Sequence, residues 1–262
     1  MSANGKLIVI SGPSGVGKGP MIHTLFAYAN ANEISIKKHV LYTNRPKRRG
    51  EIDGITYHFV DMKTLKEKEA LAQKKTLEQQ ETSNPENFVT FPVHEQLQGI
   101  CVKTLKDELA TNEWVLLEIY YKLTPFIKTL CEEQNMIMKS VFIKPLSDED
   151  YDAIGCANDS ERKCVTQAVM LTKLINRATE KTYQNALNRA KSAFVEIEKH
   201  KGYDYDLVNH YGEDNRALWD LLKEFVSVPG GLDAALKHSL LTGIAGTFQS
   251  LLWEILPENQ VN

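Results

Sequence analysis

Leu7-Ile8-Val9-Ile10 is an unbroken apolar run with no alternation of polar positions. A strand buried on both faces reads this way, as in a parallel sheet covered by helices. Trp114 to Ile119, apolar up to Glu118, and Met136 to Ile143, interrupted at Lys139 and Ser140, also read as buried strands. Between these runs the apolar spacing changes to three and four. Ile22, Leu25 and Phe26 line one face of a helix predicted over Met21–Ala31, and a second helix is predicted over Val102–Leu109. Ile34 to Leu41 reads as a short extended stretch. Asp61 to Glu81 is charged and helix-prone, with Met62, Leu65, Leu71 and Leu77 as scattered apolar positions. Thr82 to Asn87 is a loop. After the break at Pro229-Gly230-Gly231, a helix is predicted over Leu232–Leu256, with Leu236, Leu240, Ile244, Phe248, Leu251 and Ile255 on one face. Buried strands alternating with helices give an α/β class.

The first strand leads into Gly12-Pro13-Ser14-Gly15-Val16-Gly17-Lys18, with the spacing of a phosphate-binding loop: Gly, four residues, Gly, Lys. The residue types follow from the task. Glycines let the backbone turn tightly enough for several N–H groups to converge. The following helix adds unpaired N–H groups and the positive end of its dipole. Lys18 brings a positive charge to the β- and γ-phosphates. The nucleotide-binding set is therefore Gly12, Ser14, Gly15, Val16, Gly17, Lys18 and Gly19. Two positions depart from the pattern. The hydroxyl residue that usually follows the lysine and binds Mg²⁺ is Gly19, and Pro20 behind it has no N–H to offer a phosphate. Proline's fixed φ does suit a first helical turn.

Composition changes this picture little. With 42% hydrophobic and 25% charged residues, the chain has a globular composition, sized for one α/β domain with insertions or an appendage. Its net charge of −3 supplies no global basic field for nucleic acid. The four cysteines, Cys101, Cys131, Cys156 and Cys164, form no Cys-x-x-Cys pair or zinc-like spacing, so free thiols in a reducing compartment are expected. A short polar N-terminus and the lack of a long apolar run predict a cytoplasmic protein with no membrane span.

Tyr42 to Val60 is the second dense region. Four of the five residues from Arg45 to Arg49 are basic, and a proline and two glycines stiffen the stretch. Guanidinium groups pair well with phosphate. Thr43, Arg45, Arg48, Gly50, Glu51, Asp53, Gly54, Tyr57, Phe59 and Val60 fall in one register with Thr-x-Arg-x-x-Arg-x-Gly-Glu-x-(Asn/Asp)-Gly-x-x-Tyr-x-Phe-Val. With a Gly-Pro-Ser-Gly-x-Gly-Lys loop about two dozen residues upstream, this block resembles the guanylate kinase family. The resemblance runs from about Lys6 to Val226. It implies a three-layer α/β P-loop kinase fold with a central parallel sheet, small acceptor-binding and lid subdomains, and a C-terminal helical extension outside the family pattern. The implied boundaries are 1–227 for the kinase-like domain, about 35–98 for acceptor binding, about 147–189 for the lid and an insertion, and 228–262 for the extension.

The resemblance also implies roles. Arg45, Arg48 and Tyr57 match residues that hold the phosphate of an acceptor monophosphate. Lys173-Leu174-Ile175-Asn176-Arg177 resembles the lid motif Arg-Leu-x-x-Arg, and Arg189, Ala193 and Glu196 fit Arg-x-x-x-Ala-x-x-Glu. Lys173, Arg177 and Arg189 would then neutralise the moving phosphoryl group, with Lys18 and Arg45 completing the catalytic set. Tyr203 to Asn209 resembles the last strand, whose asparagine lies near the donor base. Trp114 to Tyr120 resembles the strand carrying Asp-Ile-Asp, so Glu118 is expected to serve Mg²⁺ through water. A glycine after the loop lysine also occurs in active family members, usually followed by threonine, which leaves Pro20 as the sharper departure.

The base-reading positions differ together. The family's serine four residues before the first arginine is Leu41. Its guanine-reading glutamate is Thr90, its paired tyrosines are missing around Glu95–Gly99, and its second aspartate is Tyr120. Thr90, Glu118 and Tyr120 thus join Arg45, Arg48 and Tyr57 as substrate-site positions. The expected acceptor is a nucleoside monophosphate or related phosphate that is not read as guanine. Three functions follow. The first is a phosphotransferase using ATP and Mg²⁺. The second is a catalytically weak module that binds protein partners. The third is a nucleotide-gated regulator. The helix at 232–256 is expected to dock on the core, or to contact a second copy or a partner. Asp148 to Leu171 has no counterpart in the family pattern and reads as an insertion.

Overall fold

The computed structural model describes residues 5–48, 50–78, 88–94, 96–154, 156–175 and 183–209. The predicted helix at 232–256, the loop at 82–87 and Arg177 lie outside these residues. The described elements run in the order β1 (Lys6–Ser11), α1 (Lys18–Ala31), β2 (Ile36–Lys38), β3 (Tyr42–Thr43), β4 (His58–Phe59), α2 (Met62–Glu78), β5 (Phe88–Val93) and β6 (Gln96–Cys101). They continue with α3 (Val102–Thr111), β7 (Trp114–Glu118), α4 (Thr124–Glu133), β8 (Ile137–Lys144), α5 (Asp148–Ile154), α6 (Asp159–Ile175), α7 (Tyr183–Ile197) and β9 (Tyr205–Val208).

The three apolar runs are all strands of one sheet, ordered β2-β7-β1-β8-β9. The β1–β7, β2–β7 and β8–β9 pairs are parallel. Leu7, Val9, Val115, Leu116 and Leu117 have no exposed surface, as expected for strands covered on both faces. A second sheet, ordered β4-β3-β6-β5, was not foreseen from the pattern. Its strands β3 and β4 are two residues long, too short to leave a periodic signature.

The chain divides into two compact units. The first comprises Met1–Ile10 and Ala29–Ser140, and the second Ser11–Tyr28 and Val141–Asn262. In the first unit a single apolar cluster joins β1, β5, β6, β7, α3 and α4 through Val9, Phe91, Ile100, Leu105, Leu117 and Ile127. Tyr57 and Tyr120 pack against it. A smaller cluster, Leu65 and Phe88 with Tyr42 and Leu97, sits under α2. In the second unit the stretch read as an insertion is folded as α5 and most of α6, around Leu146, Tyr151, Val165 and Val169. Tyr151 Oη and Thr166 Oγ1 share a hydrogen bond of 2.6 Å in this small core.

Candidate functional site

The phosphate-loop residues belong to the second unit. β1 ends at Ser11, and α1 begins at Lys18, three residues before the predicted start at Met21. Gly12, Gly15 and Gly17 all have positive φ. Gly17 shows why. Its φ is +105°, and a Cβ there would collide with Nδ2 of Asn209. That same Nδ2 donates to Val16 O at 2.7 Å, while the Asn209 backbone N–H reaches Lys144 O at 2.9 Å. The asparagine expected near the donor base is therefore fastened to the loop itself. Lys18 Nζ folds back over the loop and donates to Gly12 O at 2.6 Å and Pro13 O at 3.0 Å. An ammonium held on loop carbonyls is positioned for a phosphate cradled by the same turn.

Arg189 on α7 donates from Nη1 to Ser14 Oγ at 3.2 Å. One residue of the predicted lid set thus reaches the phosphate loop. Lys173 lies on α6, which packs against α7.

Gly19 and Pro20 occupy the first turn of α1 and are exposed. The first four N–H groups of a helix have no intrahelical acceptor, so Pro20 costs α1 no hydrogen bond. A phosphate would lose a donor there. Pro20→Thr restores an N–H and a hydroxyl, and we expect it to tighten ATP binding about three- to tenfold, the worth of one net hydrogen bond. Calorimetric titration with ATP measures this. An unchanged affinity would mean that the turn does not touch the nucleotide.

The acceptor-phosphate candidates belong to the first unit. Arg45 is 8% exposed and forms a two-pronged pair with Glu51: Nη1 meets Oε2 at 2.7 Å, and Nη2 meets Oε1. Its guanidinium also lies over the rings of Tyr57 and Phe59, at 4.9 and 5.3 Å from their centroids. Glu51 accepts in addition from the Arg48 backbone N–H at 2.8 Å. Burial raises the Glu51 pKa, but the Arg45 hydrogen bond and the two arginine charges outweigh it and hold the carboxyl below its usual range. Arg48 is shifted down, by burial and then by Arg45. Burial, followed by the Glu118 carboxylate, pushes the Tyr57 phenol well up, so it stays protonated and able to donate to a phosphate. The turn that presents these groups is closed by Phe59 N–H to Asp53 Oδ1 at 2.8 Å and Ile52 N–H to Thr56 Oγ1 at 3.0 Å.

Glu118 ends β7 and pairs with Lys38 Nζ at 3.3 Å. Among the described residues no group of three or more His, Cys, Asp or Glu side chains could hold a metal ion. One carboxylate already facing an ammonium suits a water-mediated role toward Mg²⁺ rather than a direct one. Tyr120 lies against His94 and Tyr121, with ring centroids 5.7 and 4.6 Å apart. Leu41 is part of the core, and Gln98, within the stretch that lacks the paired tyrosines, is buried.

Thr90 is placed differently from Tyr57 and Tyr120. Strand alternation puts it on the side of Phe88 and α2, whereas Val89, Phe91 and Val93 join the cluster of Tyr57 and Tyr120. Glu69 of α2 accepts from the Thr90 hydroxyl at 2.7 Å and from its N–H at 3.2 Å. β5 is an edge strand, so Glu69 closes a backbone donor that the ladder leaves open. Glu51, Glu69 and Lys38 are the members of these networks that the sequence did not single out as site residues. Glu51 stood in the matched motif and was legible there. Glu69 and Lys38 left no local signal.

A family model described as guanylate kinase matches residues 4–197. The chain belongs to the guanylate kinase family. It is thereby placed among the ATP-dependent nucleoside monophosphate kinases. The guanylate kinase of Bifidobacterium longum is 29% identical over 223 residues, covering 84% of this chain and 95% of that protein. That of Nitrosomonas europaea is 31% identical over 204 residues, covering 78% and 81%. The crystal structure of the guanylate kinase from Anaplasma phagocytophilum aligns at 22% identity with a TM-score of 0.48, covering 85% of this chain and 84% of that one. As a guanylate kinase family member, the chain keeps the loop and the arginine block, while its sequence departs from the family pattern at Leu41, Thr90 and Tyr120. Among the described residues, no helix is long and apolar enough to cross a membrane.

Proposed function

We propose that this chain transfers the γ-phosphoryl group of ATP to a nucleoside monophosphate, or a related phosphate, whose base is not read as guanine. The observation that carries the reading is the arginine cluster, in which Arg45 is held by Glu51 and by the rings of Tyr57 and Phe59, with Arg48 bound to the same Glu51. Glu51 balances the charge of Arg45, but a buried ion pair adds little net stability, which favours a functional use of this guanidinium. In this reading the loop backbone, Lys18 and Asn209 hold the donor. Arg45, Arg48 and Tyr57 hold the acceptor phosphate. Lys173, Arg177 and Arg189 offset the charge that moves. Such transfer needs positioning and electrostatics rather than a strong base. Mg²⁺, when bound, neutralises charge on the donor phosphates, with Glu118 orienting one of its waters.

The base is the altered part. A carboxylate accepts from guanine's N1–H and amino group, and neither Tyr120 nor Leu41 supplies that charge. Thr90, tied to Glu69, supplies none of its own. We expect GMP to be a poor acceptor, with turnover well below the roughly 1–100 per second usual for kinases. ADP formation from ATP and Mg²⁺ across a panel of nucleoside monophosphates tests this. Fast turnover with GMP would show that the substitutions spare recognition.

Pro20 in the first turn of α1 favours a second reading, in which the module binds a nucleotide or a partner with little turnover. Nucleotide binding by calorimetry without ADP formation would select it. A partner contact through 232–256, including self-association, belongs to the same reading.

A further inference from the structure

Each of the three phosphate-loop glycines with positive φ meets a different element of the second unit. A Cβ at Gly12 would strike the carbonyl of Ile143 on β8, and one at Gly17 would strike the Asn209 side chain that follows β9. At Gly15 φ is +91° and the neighbour is α6: a Cβ would lie 2.6 Å from Leu174 Cδ2 and 3.8 Å from Met170 Cε. Leu174 is an apolar member of the stretch from Lys173 to Arg177, of which only the cations entered the reading above. We infer that Leu174 is a positioning residue for the donor nucleotide: its side chain, seated on Gly15, holds the phosphate loop in the shape that binds. This rests on the loop being the donor site, and not on which acceptor is used.

A glycine-rich loop does not keep one shape by itself, because each glycine adopts positive and negative φ with similar ease. The bond from Val16 N–H to Pro13 O, at 3.2 Å, spans only part of the turn. Ile143 and Asn209 brace the loop near its two ends, and Leu174 braces its middle. The helix that carries Leu174 is well anchored. Thr166, Met170 and Leu174 follow at four-residue steps and are all buried, so they share one stripe of α6. Thr166 shares its 2.6 Å hydrogen bond with Tyr151 of α5, and Arg162 pairs with Asp148 and Asp152 of α5 at 3.2 and 3.1 Å. α5 thus sets α6, and about 12 Å of helix carries that setting from Thr166 to Leu174. Arg189 of α7 reaches Ser14, the residue before Gly15, so two helices bear on one corner of the loop. Leucine suits the contact, since it packs on backbone and offers no polar group to compete with a phosphate. A preformed loop spares the nucleotide the cost of ordering it.

The experiment titrates the full chain calorimetrically with ATP, in the absence of acceptor, for wild type, Leu174→Ala, Leu174→Met, Ile127→Ala and Lys18→Ala, with thermal melting of each. Leu174→Ala is expected to weaken ATP binding about tenfold, the loss that follows when the competent loop falls to about one-tenth of the molecules. Leu174→Met, close in volume, should keep nearly wild-type affinity. Ile127→Ala empties a fully buried place in the core of the first unit, and it should lower the melting temperature while leaving ATP affinity unchanged. Should Leu174→Ala not fold, Leu174→Val against Ile127→Val decides in its place, with a loss of about threefold expected for the former. If the Leu174 variants bind ATP as wild type does, or lose no more affinity than the Ile127 variants, while Lys18→Ala loses binding, Leu174 only fills the core and the inference falls alone. If Lys18→Ala changes nothing, or the wild type does not bind ATP, the loop is not the donor site and the inference falls with that reading.

Discussion

Lys18→Ala is expected to lower ATP turnover about 10²- to 10³-fold, the range found when one preorganised charge-stabilising group is removed from a transfer site. Two effects combine. The variant loses the positive charge aimed at the β- and γ-phosphates. It also leaves Gly12 O and Pro13 O, which now accept from Lys18 Nζ, facing a nucleotide whose oxygens repel them. The second effect predicts weaker ATP binding as well as slower transfer. Lys18→Arg tests the division, since a planar fork keeps the charge but cannot point three donors into a tight turn. Partial recovery of binding with little recovery of turnover is the expected result. The side chain is partly buried on its own loop and is not among the buried residues of the core, so the melting temperature should move little. Unchanged turnover in a folded Lys18→Ala protein would remove the loop from the active site.

The features legible in the sequence are those set by local backbone chemistry. Gly12, Gly15 and Gly17 announce positive φ, and all three have it. The apolar runs announce buried parallel strands because a doubly covered strand tolerates no polar face. The arginine block is a short motif whose turn closes on itself through Asp53, Thr56 and Glu51, so its spacing carries its geometry. The features that escaped depend on partners far away in the chain. Lys38 and Glu118 are 80 residues apart, and nothing in Ile36-Lys37-Lys38 says which lysine faces a carboxylate. The motif places Thr90 among the base-site positions, and its bonds to Glu69, 21 residues away on α2, are not legible from that motif. The stretch from Asp148 to Leu171 had no counterpart in the family pattern. It nonetheless builds a small core of its own around Tyr151, because Leu146, Val165 and Val169 meet only once α5 and α6 have folded.

Arg45→Ala should be the most damaging single change in the first unit, for stability and for acceptor binding together. The guanidinium is nearly buried, and Glu51, its partner, has a side chain only 16% exposed. Removing one member of such a pair leaves an uncompensated carboxylate, at a cost of about 3–5 kcal/mol. The stacking on Tyr57 and Phe59 is lost with it. Chemical denaturation at pH 7 measures that loss. Arg45→Ala with Glu51→Gln should recover part of the stability, since the charge is gone, but none of the affinity for a phosphate-bearing acceptor. That split separates holding the turn from holding the ligand. The pair should also show itself in pH dependence. The folded Glu51 pKa lies below the ordinary carboxyl value, so its contribution is complete above about pH 4.3, the unfolded value, and fades as pH falls through the lower folded one. Wild type should therefore lose stability on acidification more steeply than the Arg45→Ala, Glu51→Gln double variant. Parallel acid profiles would mean that the fork is a surface ornament in solution. A wild-type acceptor affinity in Arg45→Ala would show that the phosphate binds elsewhere.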